Sequence, residues 1–160
     1  MLAKIAAVTE PHRSSYPVRG ALKAYGGDPV HLMDLIALSV VTTVEHVSPA
    51  AVIVPTHSGA SARSITRFRL PVWITAVSSR ESTGQQLQFS YGVYPVHAPA
   101  PPEDWKGFAR EWLRAHEVAG NLVVLTEGPS PKHPEANHRM EIIDLRRAWG
   151  KETALLKNPE

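Results

Sequence analysis

Short apolar runs alternate with amphipathic stretches along most of this 160-residue chain. Continuous apolar segments rich in β-branched residues predict strands that are buried on both faces. Amphipathic segments with a period near 3.6 predict helices between them. The strands predicted in this way span residues 50–54, 72–77, 92–96, 122–125 and 139–145. Strands that alternate with helices are typical of βαβ units and a parallel sheet.

Four helices are predicted, one before the first of these strands and three between successive strands. The first begins at Asp28, because Asp is a favourable N-cap and the proline after it suits the first helical position. This helix ends near Val47, since the serine that precedes the next proline is biased out of the helical region. Two further helices run to about Phe68 and Phe89, and a fourth is amphipathic over residues 103–118.

Two of the strands have features of sheet edges. Pro95 has no N–H to donate to a ladder, so residues 92–96 suit an edge position. The last strand alternates enough to be half-exposed, which fits an antiparallel edge strand. The pattern therefore predicts an α/β fold, a three-layer α/β/α sandwich around a mostly parallel five-stranded sheet. Its predicted organisation is an N-terminal helix and connector at 1–27, the domain at 28–145 and a tail at 146–160.

Composition and charge exclude several classes of protein. Hydrophobic residues make up 43% of the chain and charged residues 20%, which excludes a disordered chain. The absence of cysteine excludes disulfides, zinc-thiolate sites and iron–sulfur clusters, and it fits a cytoplasmic location. The formal charge of +2 is scattered, without the basic stripe that a nucleic-acid partner requires. The longest apolar stretch, residues 35–41, is too short to span a membrane.

The turn after the first strand carries the clearest chemical signal. Thr56, Ser58, Gly59 and Ser61 lie where a buried strand leads into a helix. The first N–H groups of a helix lack internal partners, and the helix dipole adds partial positive charge there. Glycine allows close approach of the backbone, and the hydroxyls add donors. These are the components of a phosphate site, although simple helix capping would use the same residues.

Other polar residues are predicted near the same edge of the sheet. Arg63 lies one turn into the helix and adds positive charge. Arg80 follows the next strand, where it either reaches an anion at the first turn or belongs to a simple N-cap. The loop over residues 126–139 contains Lys132 and His133, and it is either a lid or a variable surface loop.

Three further possibilities are weaker. The eight histidines include no closely spaced ligand pair, so no metal site is predicted. Ser58, His57 and Asp144 supply the residue types of a hydrolase, although nothing in the sequence brings them together. Trp105 and Trp112 share one helical face, which core or interface packing explains better than base stacking.

An ordered series of motifs resembles the C-terminal α/β domain of pyruvate kinase over residues 28–145. The series is IVPTHSGASARSITRFRLPVWITAV from Ile53, YGVYPV from Tyr91 and NLVVLTEG from Asn121. The family shows a T-x-S-G-x-[ST] turn followed by A-R, then an aromatic-G-V-x-P-V strand and a G-D-x-V-V-x-T-x-G segment. Residues 1–7, MLAKIAA, resemble the helix that leaves the family's catalytic barrel.

The resemblance implies a regulatory role for this domain. In the family, the turn grips a phosphate of a sugar-phosphate effector such as fructose 1,6-bisphosphate. Carried over, that role falls on Thr56, Ser58, Gly59 and Ser61, with His57 and Ala60 at the variable positions. The effector loop keeps Asn137 but has no glycine after Gly128, so a stiffer loop is expected. Catalysis belongs to the barrel, so the resemblance implies no pyruvate kinase activity and no cofactor for this chain.

The expected function is therefore a non-catalytic regulatory module that binds a phosphorylated small molecule, either a sugar phosphate or a phosphate or sulfate ion. The expected protein partner is a second copy of the chain or a pyruvate kinase catalytic domain. Neither a nucleic acid nor a membrane is expected. Two alternatives are an association domain with a vestigial anion site and a small hydrolase that uses Ser58 and His57.

Overall fold

The computed structural model describes residues 31–129 and 134–146. The predicted N-terminal helix and connector, Lys132, His133 and residues 147–160 lie outside the described residues. The helices are α1 (Leu32–Val47), α2 (Ala60–Thr66), α3 (Glu81–Leu87) and α4 (Trp105–Ala115). The strands are β1 (Ala51–Pro55), β2 (Trp73–Ser78), β3 (Val93–His97), β4 (Leu122–Glu127) and β5 (Arg139–Asp144).

The five strands form one sheet in the order β3-β2-β1-β4-β5. β1 pairs in parallel with β2 and β4, and β2 pairs in parallel with β3. β5 pairs antiparallel with β4, from Leu122 opposite Asp144 to Glu127 opposite Arg139. The predicted α/β class, the mostly parallel sheet and the antiparallel edge strand are confirmed.

Apolar side chains alternate between the two faces of the sheet and build two cores. Val52 and Val54 of β1 join the core with α1, α2 and α3, whereas Ala51 and Ile53 join the core with α4. All four are at most 1% exposed, as expected for a central parallel strand covered on both faces. Helices on both sides of the sheet give the three layers that the sequence predicts.

The start of the first helix differs from the prediction. α1 begins at Leu32, with His31 as its N-cap, so the prediction that Asp28 is the N-cap of this helix was wrong. The side chain of His31 accepts a hydrogen bond from the Met33 N–H, its Nδ1 atom lying 3.3 Å from that nitrogen. The helix ends at Val47 as predicted, where Ser48 adopts a left-handed conformation and its N–H bonds the Val44 carbonyl.

The topology defines two edges of the sheet that matter below. The four parallel strands end at one edge, here called the carboxyl edge, and begin at the other, here called the amino edge. Ligands of open α/β sheets bind outside the carboxyl ends of the strands. The Thr56–Ser61 turn, the β2–α3 turn and the β4–β5 loop all leave from the carboxyl edge.

Candidate functional site

The turn between β1 and α2 lies at the surface of the carboxyl edge. Its first residue is anchored, because the Thr56 N–H donates to the Val77 carbonyl of β2 at 2.9 Å. His57, Ser58 and Ala60 are exposed, and Ser61 is half-buried. Ser58 and Ser61 therefore keep contact with solvent, whereas Gly59 between them is buried.

Gly59 sets the shape of this turn. Its φ of 79° lies in the left-handed region, and its N–H donates to Thr56 Oγ1 at 2.9 Å. A Cβ at this position would lie 2.8 Å from Arg63 Nη1 and 3.1 Å from Leu87 Cδ2. As N-cap of α2, Gly59 provides no side-chain cap for the first N–H groups of the helix. These groups have no intrahelical partner, so they are the donors that an anion would use.

Arg63 folds back from α2 over the turn. One of its terminal nitrogens, Nη2, donates to the Ser58 carbonyl at 2.7 Å, although the residue itself is exposed. This bond fixes Ser58 and holds a positive charge beside the exposed hydroxyl. The predicted proximity of Arg63 to the turn is therefore present in the structure.

Arg80 reaches the same turn from the end of β2. Its Nη1 lies 3.3 Å from His57 Nε2. A guanidinium can only donate, so in this contact His57 Nε2 is the acceptor. The buried Thr83 of α3 completes the contact between the two turns, because its hydroxyl donates to the His57 carbonyl at 2.8 Å.

The electrostatic character of the turn is positive. Across the part of the chain that the structure describes, no carboxylate forms an ion pair with Arg63 or Arg80. By contrast, the guanidinium of Arg67 at the end of α2 is paired with Asp34 of α1 at 2.7 Å. Two guanidinium groups without a carboxylate partner, next to exposed hydroxyls and helix N–H groups, suit a phosphate ester.

The β4–β5 loop is tied down at its base. Glu127 accepts a hydrogen bond from Trp105 Nε1 of α4 at 3.1 Å and pairs with Arg139 of β5. At the next residue, Gly128, a side chain would require the His138 ring to shift, because a Cβ would lie 2.7 Å from His138 Nδ1. Asn137 is exposed, and among the described residues no hydrogen bond joins it to the Thr56–Ser61 turn.

The structure separates the residues considered for a hydrolase. Ser58 and His57 lie at the carboxyl edge, whereas Asp144 pairs with Leu122 at the start of β4 and so lies at the amino edge. Asp144 instead binds Arg146 through two hydrogen bonds of 3.1 Å, and this hydrogen bonding and charge attraction raise the pKa of the Arg146 guanidinium. No Ser–His–Asp triad is formed by these three residues.

Trp105 and Trp112 both point toward the rest of the domain. Trp112 is 6% exposed and belongs to the α4 core, while Trp105 is half-buried and packs edge-to-face on Phe108. Packing within the domain thus explains why both tryptophans lie on one face of α4. In the described part of the chain there is no group of three or more potential metal ligands and no helix with the length and apolar character to cross a bilayer.

Sequence reasoning missed Thr83, which joins the two turns. The signal for Thr83 in the sequence was its position at the start of the helix that follows Ser79 and Arg80. A hydroxyl at that position can reach the neighbouring turn at the same edge of the sheet. Sequence reasoning also missed Glu127, although an acidic residue at the end of an apolar strand, before a basic loop, indicates a partner nearby.

The fold is an α/β sandwich with a glycine-bent, positively charged turn at its carboxyl edge, the edge at which open α/β sheets bind ligands. The protein-family model described as "Pyruvate kinase, alpha/beta domain" matches residues 34–143 of this chain. The pyruvate kinase of Thermococcus litoralis is 35% identical over 97 residues, which are 59% of this chain and 20% of that protein. The pyruvate kinase of Agaricus bisporus is 26% identical over 101 residues, which are 63% of this chain and 19% of that one.

A solved structure, Cryptosporidium parvum pyruvate kinase in complex with ADP, has a TM-score of 0.69 at 19% identity. The matched region is 80% of this chain and 26% of the Cryptosporidium chain. At 19% identity this similarity supports the fold alone. The chain belongs to the family of pyruvate kinase α/β domains. It spans about a fifth of the length of the Thermococcus and Agaricus relatives.

Proposed function

We propose that this chain is a non-catalytic regulatory module that binds a phosphorylated small molecule at the Thr56–Ser61 turn. The observation that carries the proposal is the pair of arginines at this turn, Arg63 and Arg80, which have no carboxylate partner among the described residues. Arginine is the side chain best suited to phosphate oxygens, because its fork of N–H donors matches their geometry.

The neighbouring groups support the same ligand chemistry. Ser58 and Ser61 bring hydroxyl donors, and Gly59 leaves the start of α2 without a side-chain cap. A phosphate ester at this point would replace water on several donors at once, since a dianion has three terminal oxygens. The sugar of a sugar phosphate would face the β4–β5 loop, which leaves from the adjacent strand.

Calorimetric titration of the full chain tests this proposal. Fructose 1,6-bisphosphate and inorganic phosphate are the two probes, and fructose without phosphate is the matched ligand control. We expect at least one phosphorylated probe to bind and fructose not to bind. Absence of heat for every phosphorylated probe would contradict it.

A matched pair of variants locates the site. Ser58→Asp puts a negative charge on the exposed turn, and we expect it to weaken phosphate binding at least tenfold by charge repulsion. Ser39→Asp makes the same change on the exposed side of α1, away from the turn, and should bind like the parent protein. Equal affinity of the two variants would show that any binding occurs elsewhere.

We also propose that the module associates with a second copy of itself or with a pyruvate kinase catalytic domain. Large apolar side chains remain exposed on the α1 side of the domain: Leu32 is 52%, Leu35 43% and Ile142 46% exposed. Exposed apolar groups on one side of a domain are typical of an interface. Because the family resemblance assigns catalysis to a separate barrel, we expect no phosphoryl transfer by this chain alone.

A further inference from the structure

A second surface of the molecule lies at the amino edge, on the α4 side of the sheet. It consists of four rings, Trp73, Tyr94, Trp112 and His116, and is called here the aromatic face. The Tyr94 ring meets Trp73 at 6.4 Å, Trp112 at 5.6 Å and His116 at 4.6 Å, each time edge-to-face. Trp112 is the buried floor, whereas Trp73 is 48% and Tyr94 38% exposed. Contiguous exposed aromatic rings mark a binding surface.

The exposure of these rings follows from the unequal covering of the sheet. In the described residues, three helices pack on one face and α4 alone packs on the other. α4 reaches the aromatic face only with its last turn, through Trp112 and the exposed His116. On the α4 side of the sheet, β2 and β3 are therefore only partly covered, and Trp73 and Tyr94 remain in contact with solvent.

The chain leaves the described domain at the same edge and on the same side. Leu145, directly after β5, is buried in the α4 core, and its carbonyl accepts a hydrogen bond from Arg110 of α4 at 3.0 Å. The pairing register places one row of residues straight across the sheet: Ile143, Val123, Ala51 and Trp73. The segment after Arg146 thus begins beside the row that ends at the aromatic face.

We propose that residues 147–160 dock on the aromatic face. Three strand spacings separate β5 from β2, a distance of about 14 Å. Nine residues lead from Arg146 to Leu155 and reach about 30 Å when extended, so the segment is long enough. It carries the apolar side chains that an exposed aromatic surface favours, namely Trp149, Leu155 and Leu156.

The absence of cysteine makes a direct test simple. Lys157→Cys in the full chain gives one attachment point for a nitroxide spin label. We expect the label to abolish the indole N–H signals of Trp73 and Trp112 in NMR spectra. Trp105 is the internal control, because its indole donates to Glu127 at the carboxyl edge, and its signal should persist. Leu155→Asp combined with Leu156→Asp should restore the Trp73 signal in the labelled chain.

Three results would overturn the proposal. Persistence of the Trp73 signal beside the label would mean that the segment does not dock there. Loss of the signal only in mixtures of spin-labelled chains with isotope-labelled chains that carry no spin label would assign the surface to a second copy. Loss of the Trp73 signal with a spin label on Lys4→Cys, but not with one on Lys157→Cys, would assign the aromatic face to the N-terminal segment.

Discussion

Gly59 is the residue on which the shape of the Thr56–Ser61 turn depends. Its left-handed backbone is unfavourable for any residue with a Cβ, by about 1–2 kcal/mol. We therefore predict that Gly59→Ala lowers the free energy of unfolding by about that amount and weakens phosphate binding. Urea unfolding at equilibrium measures the first effect.

Gly84 provides the matched control for this prediction. A Cβ there would meet only Pro95 Cβ, at an ordinary contact distance of 3.8 Å, and the residue lies inside α3. Gly84→Ala should therefore leave stability unchanged or raise it by up to about 1 kcal/mol. Equal destabilisation by the two substitutions would contradict the assigned role of the Gly59 backbone.

The arginines of the turn support a second prediction. Arg80→Gln removes the positive charge that contacts His57, and Arg63→Gln removes the charge that holds Ser58. Each change should weaken phosphate binding about tenfold and make it less dependent on salt, because fewer charges contact the ligand. Arg114→Gln, on an exposed position of α4, is the control and should change neither quantity.

At the scale of elements, the start of α4 depends on one capping side chain. The carboxylate of Asp104 accepts a hydrogen bond from the Gly107 N–H at 3.0 Å. We predict that Asp104→Ala lowers the free energy of unfolding by about 1 kcal/mol, the usual effect of losing an N-cap. Glu103→Ala, at the exposed residue before it, should have little effect, and thermal unfolding distinguishes the two.

The elements were largely predictable because their signals are local. β1, β2 and β4 are short apolar runs, and only burial on both faces explains such runs in a chain of this composition. The N-terminus of α1 was not predictable in the same way. Asp28 followed by proline is a strong capping signal, whereas His31, the N-cap in the structure, is a weak one.

The candidate site was predictable only in part. Parallel strands bring successive turns to one edge, so the sequence indicated that Arg80 and the Thr56–Ser61 turn lie together. The partner of Arg80, His57, and the hydroxyl of Thr83 depend on side-chain directions that no local pattern encodes. The distance between Asp144 and Ser58 likewise depends on the antiparallel pairing of β5.

At the scale of the whole molecule, the proposed self-association leads to a prediction about α1. Leu35→Asp places a charge on the exposed apolar side of this helix, and desolvating a charge at an interface is costly. We expect this variant to be mainly monomeric by light scattering at concentrations where the parent associates. Phe89→Asp, at a side chain 94% exposed between α3 and β3, should associate like the parent. A monomeric parent protein would contradict the proposed self-association.

The central claim is that the Thr56–Ser61 turn is a phosphate site, and an NMR titration of the full chain with inorganic phosphate tests it most directly. The account predicts that the amide signals of Ser58, Ala60 and Ser61 shift progressively and saturate. Amides at the amino edge, such as those of Gly92 and Asn121, should stay in place. Unchanged turn amides at saturating phosphate, or equal shifts at both edges, would contradict the account.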